Sequence, residues 1–388
     1  MVTTPDCAHV GRALLALIGH RANEAANLPE AHWRMLDAMA EQHRLQPFLH
    51  YRAEQGAIPQ PPATIRKAWR RAYHENGVAI LAQRRALLQA VQSLGASGIG
   101  AVALKGSALA WTVWPEPALR VMRDIDLLVA QEDADKAYAC LLDAGWEGPV
   151  LHPDEAAQIA ACQTHFPPLQ SADGVWCELH AHVWLRPAVP GMAMPMPCDA
   201  QMLAHARYEE RLGAAVPGTQ DMLAHLVVHA ACAHLLNVGP GALIDIDTWC
   251  ARKRVDWPTF WCKAETSGYA RPAALVFVLV DRWRRPGFLD GTGCTIQVDK
   301  ALLDASELLL VQDLDARKDV SALSSLGHGH IRGRLAQDPL DRAKTSASPI
   351  GRIGQLAQRS ASLARSVLRR ETRQTARQTA ALQAWLSG

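Results

Sequence analysis

The sequence predicts an α+β protein in which a small mixed β-sheet is flanked by an N-terminal helical segment and a C-terminal helical domain. Three observations predict it. Apolar residues recur at helical spacing over 8–55 and 63–95, and again from 201 to about 312. Between these stretches, short apolar runs bounded by glycine or alternating at period two read as strands. Glycine and proline punctuate the passages from one pattern to the next. On this basis the 388 residues divide into a helical part (1–96), a sheet-bearing core (97–200), a second helical part (201–320) and a basic tail (321–388).

The elements follow in order. "WRMLDAMAEQHRLQPFLHYRAEQ" (33–55) carries the first helical periodicity, and "AIPQPP" (57–62) breaks it. "AILAQRRALLQAVQSLGASG" (79–98) resumes it and ends on glycines suited to a helix stop. Ala101–Leu104 is short, apolar and glycine-bounded, hence a buried strand; "KGS" is then a turn and "ALAWTVW" a helix. "DIDLLVA" (124–130) is a second strand, and 131–147 a helix stopped at Gly145. "GVWCELHAHVWL" (174–185) alternates around Trp176, Glu178, His180 and His182 as a third strand. A Pro/Met linker covers 189–199, the 201–312 stretch is helical, 324–350 is a loop, and the last 38 residues form a solvated helix.

Composition bounds the function. Hydrophobic residues make up 49% and charged residues 20%, as in an ordinary globular protein. A net charge of +2 points to no nucleic-acid or membrane partner. Only the tail is locally basic, with eleven Lys/Arg against three acids between Arg332 and Arg377, which leaves an RNA acceptor open. The nine cysteines are scattered without a CxxC pair, which predicts reduced thiols and a cytoplasmic location. The N-terminus has neither the basic start nor the apolar core of a secretory leader. The longest apolar run, 273–280, is too short to span a bilayer.

Two residues apart in a strand, Asp124 and Asp126 point to the same face. Like charges so placed repel, and burying either alone is costly. A divalent cation resolves both problems: Mg²⁺, or Mn²⁺ in its place, takes carboxylate oxygens together with substrate phosphates. Glu178, mid-strand between Cys177 and Leu179, is the candidate third ligand. Upstream, Gly106 lets the backbone turn tightly towards an anion, and Ser107 offers a hydroxyl and an N–H at a helix start. Lys105 and Arg120 supply positive charge for a triphosphate. The letters "DID" recur at 245–247, but in a helical stretch, where residues i and i+2 diverge by about 200° and cannot share one cation. Asp245 is left to cap, to pair, or to line an acceptor pocket. His225 and His229, at i and i+4, can ligate zinc by spacing, but no HExxH pattern accompanies them.

These motifs carry a resemblance. The chain resembles the nucleotidyltransferase superfamily with the polymerase-β type of core, and more closely a family of uncharacterised nucleotidyltransferases. The resemblance rests on "EQHRLQPFL" (41–49), "LKGSAL" (104–109), Arg120, "DIDLLV" (124–129), "LLDAGWE" (141–147), "CELHAHVWL" (177–185), "HLVVHAACAH" (225–234), "LIDIDTW" (243–249) and "VDW" (255–257), in that order. It implies that Asp124, Asp126 and Glu178 are metal-binding and catalytic. It further implies that Gly106 and Ser107, with Lys105 and Arg120, hold the nucleotide phosphates. The expected reaction moves a nucleoside monophosphate from an NTP, foremost AMP from ATP, onto an acceptor hydroxyl or phosphate with release of pyrophosphate. His180, His225, His229 and Asp245 are expected on the acceptor side. Two other readings stand beside it. One is a metal-dependent hydrolase built on Glu178, His180, His182, His225 and His229; the other is an inactive relative that binds a nucleotide.

Overall fold

The computed structural model describes residues 5–184, 199–313 and 370–387. Its sheet is built from β1 (Ala101–Ala103), β2 (Asp124–Val129), β3 (Leu169–Gln170), β4 (Trp176–His180), β5 (Arg207–Glu209) and β6 (Ala214–Val216). They lie in the order β3-β4-β2-β1-β6-β5. The sheet is mixed: β2 runs parallel to β4 and β1 parallel to β6, while the β1–β2, β3–β4 and β5–β6 pairs are antiparallel. Ile125 through Val129 are all buried, as befits a central strand covered on both faces, and Asp126 is the one charged group among them.

Helices α1 (Pro5–Leu17), α2 (Glu30–Gln42), α3 (Gln46–Glu54) and α4 (Ala63–Ala96) precede the sheet. The helical stretch expected over 8–55 is thus three helices. The break after α2 is made by Arg44, left-handed at φ 58°, with Pro47 then opening α3. Helix α5 (Lys105–Thr112) follows β1, α6 (Ala134–Asp143) follows β2, and α7 (Pro153–Cys162) precedes β3. Beyond the sheet come α8 (Asp199–Ala204), α9 (Thr219–Val228), α10 (Gly241–Arg252), α11 (Trp257–Thr266), α12 (Ala270–Trp283) and α13 (Lys300–Leu310). A last helix, α14, spans Arg370–Leu386.

Several expectations are corrected. The 201–312 stretch is not helical throughout, because the β5–β6 hairpin adds two strands to the sheet beside β1. Three-residue strands carry too few positions for a periodicity to register. The third strand ends at His180, so His182 lies outside it. "KGS" belongs to α5, which begins at Lys105. The last helix is not wholly solvated, since Leu382 and Leu386 are buried. The Pro/Met linker up to residue 198, the loop expected over 324–350 and most of the basic tail lie outside the described residues. Among the described residues no helix is long and apolar enough to cross a membrane.

Candidate active site

The parallel register of β2 and β4 places Asp126 opposite Glu178, Asp124 opposite Trp176, and Leu128 opposite His180. Period-two alternation then puts Asp124, Asp126, Glu178 and His180 on one face of the sheet. Asp126, Glu178 and His180 each offer a ligand atom within 4.8 Å of the others. Asp126 is 4% exposed, so its charge needs partners.

Helix α5 brings those partners. The backbone leaves β1 at Leu104, whose N–H donates to the Asp126 carbonyl (3.0 Å), and turns at once through Lys105, left-handed at φ 45°. The turn expected of Gly106 therefore falls on Lys105, and glycine is required at 106 for space. A Cβ there would lie 2.7 Å from Met122 Sδ, with the Arg120 guanidinium carbon 3.7 Å away. Ser107 is buried, and its Oγ accepts the Asp126 N–H at 2.9 Å, which fixes the helix start against β2. The Lys105 ammonium donates to Asp126 Oδ1 at 2.6 Å, and His180 Nε2 approaches the same oxygen at 2.9 Å.

The electrostatics separate the two aspartates. Burial, then the charges of Asp126 and Glu178, push Asp124 up to about 6, against the opposing pull of Lys105 and Arg44. Burial would raise Asp126 too, but Lys105 and His180 outweigh it and hold this carboxyl well below the usual range. Burial and Lys105 lower His180, so the imidazole is neutral. An ionised Asp126 accepts only, so the His180 proton sits on Nε2. Lys105 is raised despite its burial, because Asp126 and Glu178 favour the ammonium.

The two DID motifs meet different fates. Arg120 grips Asp245 bidentately, Nε to Oδ1 and Nη2 to Oδ2, both at 2.9 Å, and Trp114 Nε1 donates to Oδ1 at 2.9 Å. Asp247, on the opposite side of α10, pairs with Arg284 (2.9 Å) and Arg285 (3.0 Å). The helix thus splits the second pair of acids between two separate sets of partners, as its 100° per residue dictates.

His225 and His229 lie on α9 and in the π-helical turn His229–Ala233 that follows it, with ring centroids 5.8 Å apart. Burial, then Lys105, depresses both, His225 down to about 3, so both are neutral. Both ring nitrogens of His225 are buried without a hydrogen-bond partner. The π-turn and the left-handed Leu235 and Leu236 after it are strained features of the kind that gather at functional sites. His182 does not join them. It is tied to Asp199 Oδ2 (2.8 Å) and the Ala160 carbonyl (2.9 Å), because the chain has already left the strand. The histidine face expected of the hydrolase reading is therefore divided.

Sequence reasoning missed Arg44, whose charge acts on Asp124 from the α2–α3 break, and His165, whose ring lies 5.4 Å from that of His180. The trace of Arg44 in the sequence is "HRLQP", a cation just before a helix-opening proline. Nothing in the sequence marks His165.

The residues fit a divalent cation. Asp126 and Glu178 converge with His180, and Asp124 shares their face of the sheet just outside that cluster. The part of the Asp124 shift that comes from Asp126 and Glu178, after burial, is repulsion that a cation would relieve. With the His180 Nε2–H given to Asp126, the ring steadies a carboxylate and leaves an oxygen donor set suited to Mg²⁺ or Mn²⁺.

Against known proteins, the family described as uncharacterised nucleotidyltransferase matches residues 29–285, a span that runs from before α2 to just past α12 and takes in every site residue above. No curated protein matches the chain.

Proposed function

The chain belongs to the uncharacterised nucleotidyltransferase family, and from that premise we propose that it transfers AMP from ATP to an acceptor hydroxyl or phosphate with release of pyrophosphate. The observation that carries this reading is the direct pairing of Asp126 with Glu178 across β2 and β4, beside the Gly106–Ser107 helix start. Asp124, Asp126 and Glu178 would hold Mg²⁺ or Mn²⁺. Bound there, the ion supplies Lewis-acid stabilisation of phosphate charge.

The chain's own groups do the rest. The N-terminus of α5 turns backbone N–H groups towards the nucleotide phosphates, with Met122 and the Arg120 guanidinium packed against Gly106. Lys105 and Arg120 take up charge that develops on the leaving pyrophosphate. Glu178, the less buried of the β2–β4 pair, accepts the acceptor's proton. Neutral His225 and His229 face the acceptor side. Their lack of charge suits hydrogen bonds to hydroxyls better than capture of a second polyanion. The free thiols among the described residues suit a reducing compartment such as the cytoplasm.

The test is pyrophosphate release from each of the four NTPs with Mg²⁺ or Mn²⁺, for wild type and for Asp124→Asn/Asp126→Asn, with cell extract supplying the acceptor. Metal-dependent release that falls at least ~10²-fold in the double variant is expected. NTP binding without release assigns the chain to inactive relatives. Zinc retained through dialysis without NTP binding assigns it to the hydrolases.

A further inference from the structure

Asp245 sits on α10, outside the sheet, in a position where sequence reasoning leaves it to the acceptor. Its surroundings give it another task. It is 4% exposed and accepts from the Trp114 indole and from two N–H groups of Arg120, of which Nε–H is shared between both carboxylate oxygens. A bidentate carboxylate fixes the plane of a guanidinium as well as its place. Arg120 carries five N–H groups. Nε–H and one N–H of Nη2 go to Asp245, and one N–H of Nη1 goes to the Val121 carbonyl at 2.7 Å. One N–H on each terminal nitrogen remains. The guanidinium carbon lies 3.7 Å from where a Cβ on Gly106 would stand, so that it flanks the start of α5 beside Met122. Arg120 also feels Asp126 and Asp124 directly.

We propose that Asp245 is a positioning residue for nucleotide binding: it holds Arg120 edge-on over the Gly106 helix start, so that the two remaining N–H groups meet the nucleotide's phosphate oxygens. The helical part beyond the sheet thereby contributes to the nucleotide site through one side chain, with the Trp114 indole keeping the carboxylate in plane. This rests on the nucleotidyl-transfer reading, and it moves Asp245 from the acceptor side to the phosphate side. A pair that merely fastened α10 to the core would have no need to sit beside Gly106, and its loss would affect stability alone.

The experiment is equilibrium binding of ATP with Mg²⁺ to wild type, Asp245→Ala, Asp245→Asn, Arg120→Ala and Arg120→Ala/Asp245→Ala, with thermal melts of each. Asp245→Ala is expected to weaken ATP about tenfold or more in the wild-type background. It is expected to change ATP affinity less than about twofold once Arg120 is alanine, because a residue that acts through another has no effect in its absence. Asp245→Asn keeps one acceptor and the volume, so it should fall between, and it carries the test if the alanine variant does not fold. ATP affinity unchanged in Asp245→Asn while the melting temperature drops makes the pair a fastener and overturns the proposal. Equal losses from Asp245→Ala with and without Arg120 also overturn it, since Asp245 then acts alone. Wild type that binds none of the four NTPs is a different failure: it removes the nucleotidyl-transfer reading first.

Discussion

The Lys105 ammonium lies 2.6 Å from Asp126 Oδ1, on the same oxygen that His180 Nε2 reaches at 2.9 Å. Lys105 is thus the nearest cation to a face that carries three carboxylates, and Asp126, Glu178 and Asp124 all favour its charged form. Lys105→Met strips that charge from a carboxylate almost wholly out of water. Removing one partner of a buried pair typically destabilises by about 3–5 kcal/mol. Denaturant midpoints should show a loss of this order, and Mg²⁺ or Mn²⁺ should recover more of it in the variant than it adds to wild type. A midpoint equal to wild type would mean that Lys105 is no counter-ion to Asp126.

Asp124 gives a pH signature. Its folded-state value is raised, by burial and by the charges of Asp126 and Glu178, to about 6. The unfolded value is near ~3.9. Between the two, the folded chain binds more protons than the unfolded chain, so stability falls as pH rises from about 4 through 6 and stays lower above. Asp124→Asn removes the penalty: its melting temperature should exceed wild type at pH 8 and match it at pH 4, while pyrophosphate release is lost. Asp126 has the opposite sign. Its folded value is lowered, so the stability it contributes is present above the unfolded value and lost only as pH falls through the lower folded one. In wild type at metal well below saturation, where the cation does not outcompete the proton, metal-dependent release should decline with a single proton as pH drops through about 6, because a protonated Asp124 cannot ligate. A profile flat between pH 5 and 8 would remove Asp124 from the metal set.

The Asp124/Asp126/Glu178 face was legible because strand alternation is local: two residues apart means one face, whatever the rest of the chain does. That Glu178 stands directly opposite Asp126 is a matter of register, which depends on residues far apart in sequence. The same limit hid the Arg120–Asp245 pair, whose members are flagged separately but lie 125 residues apart. The β5–β6 hairpin escaped because a three-residue strand has no period to read. The turn assigned to Gly106 shows a subtler limit. Glycine marks where a side chain cannot be, and here the reason is Met122 and Arg120 rather than the backbone angle, which Lys105 adopts instead.

That distinction is testable at Gly106. An alanine Cβ would meet Met122 Sδ at 2.7 Å, the far part of a flexible side chain, so the clash is one that a second change can relieve. Gly106→Ala should lower both stability and ATP affinity. Adding Met122→Ala should restore most of the stability by making room, but not the affinity, because the methyl still covers the helix start. Ser107→Ala acts differently: it leaves the buried Asp126 N–H without its acceptor, at about 1–3 kcal/mol by chemical denaturation. If Gly106→Ala/Met122→Ala binds ATP as wild type does, the phosphates lie elsewhere.

His225 is the strangest group in the core. It is 1% exposed, with both ring nitrogens lacking a hydrogen-bond partner and its edge against Trp184 at 5.6 Å between ring centroids. Burial drives it down to about 3, so at neutral pH it stores no charge and stabilises nothing by pairing. Replacing an unpaired buried polar ring by an apolar one of similar shape removes a desolvation penalty. His225→Phe should therefore leave stability equal to wild type or up to about 2 kcal/mol higher. If the histidine serves the acceptor, the same variant should still bind ATP as wild type does while losing at least tenfold in transfer of an α-phosphate label from ATP to acceptors in cell extract. Loss of ATP affinity together with transfer would place His225 on the nucleotide side. Loss of stability alone would make it a core residue whose missing hydrogen bonds are supplied by water.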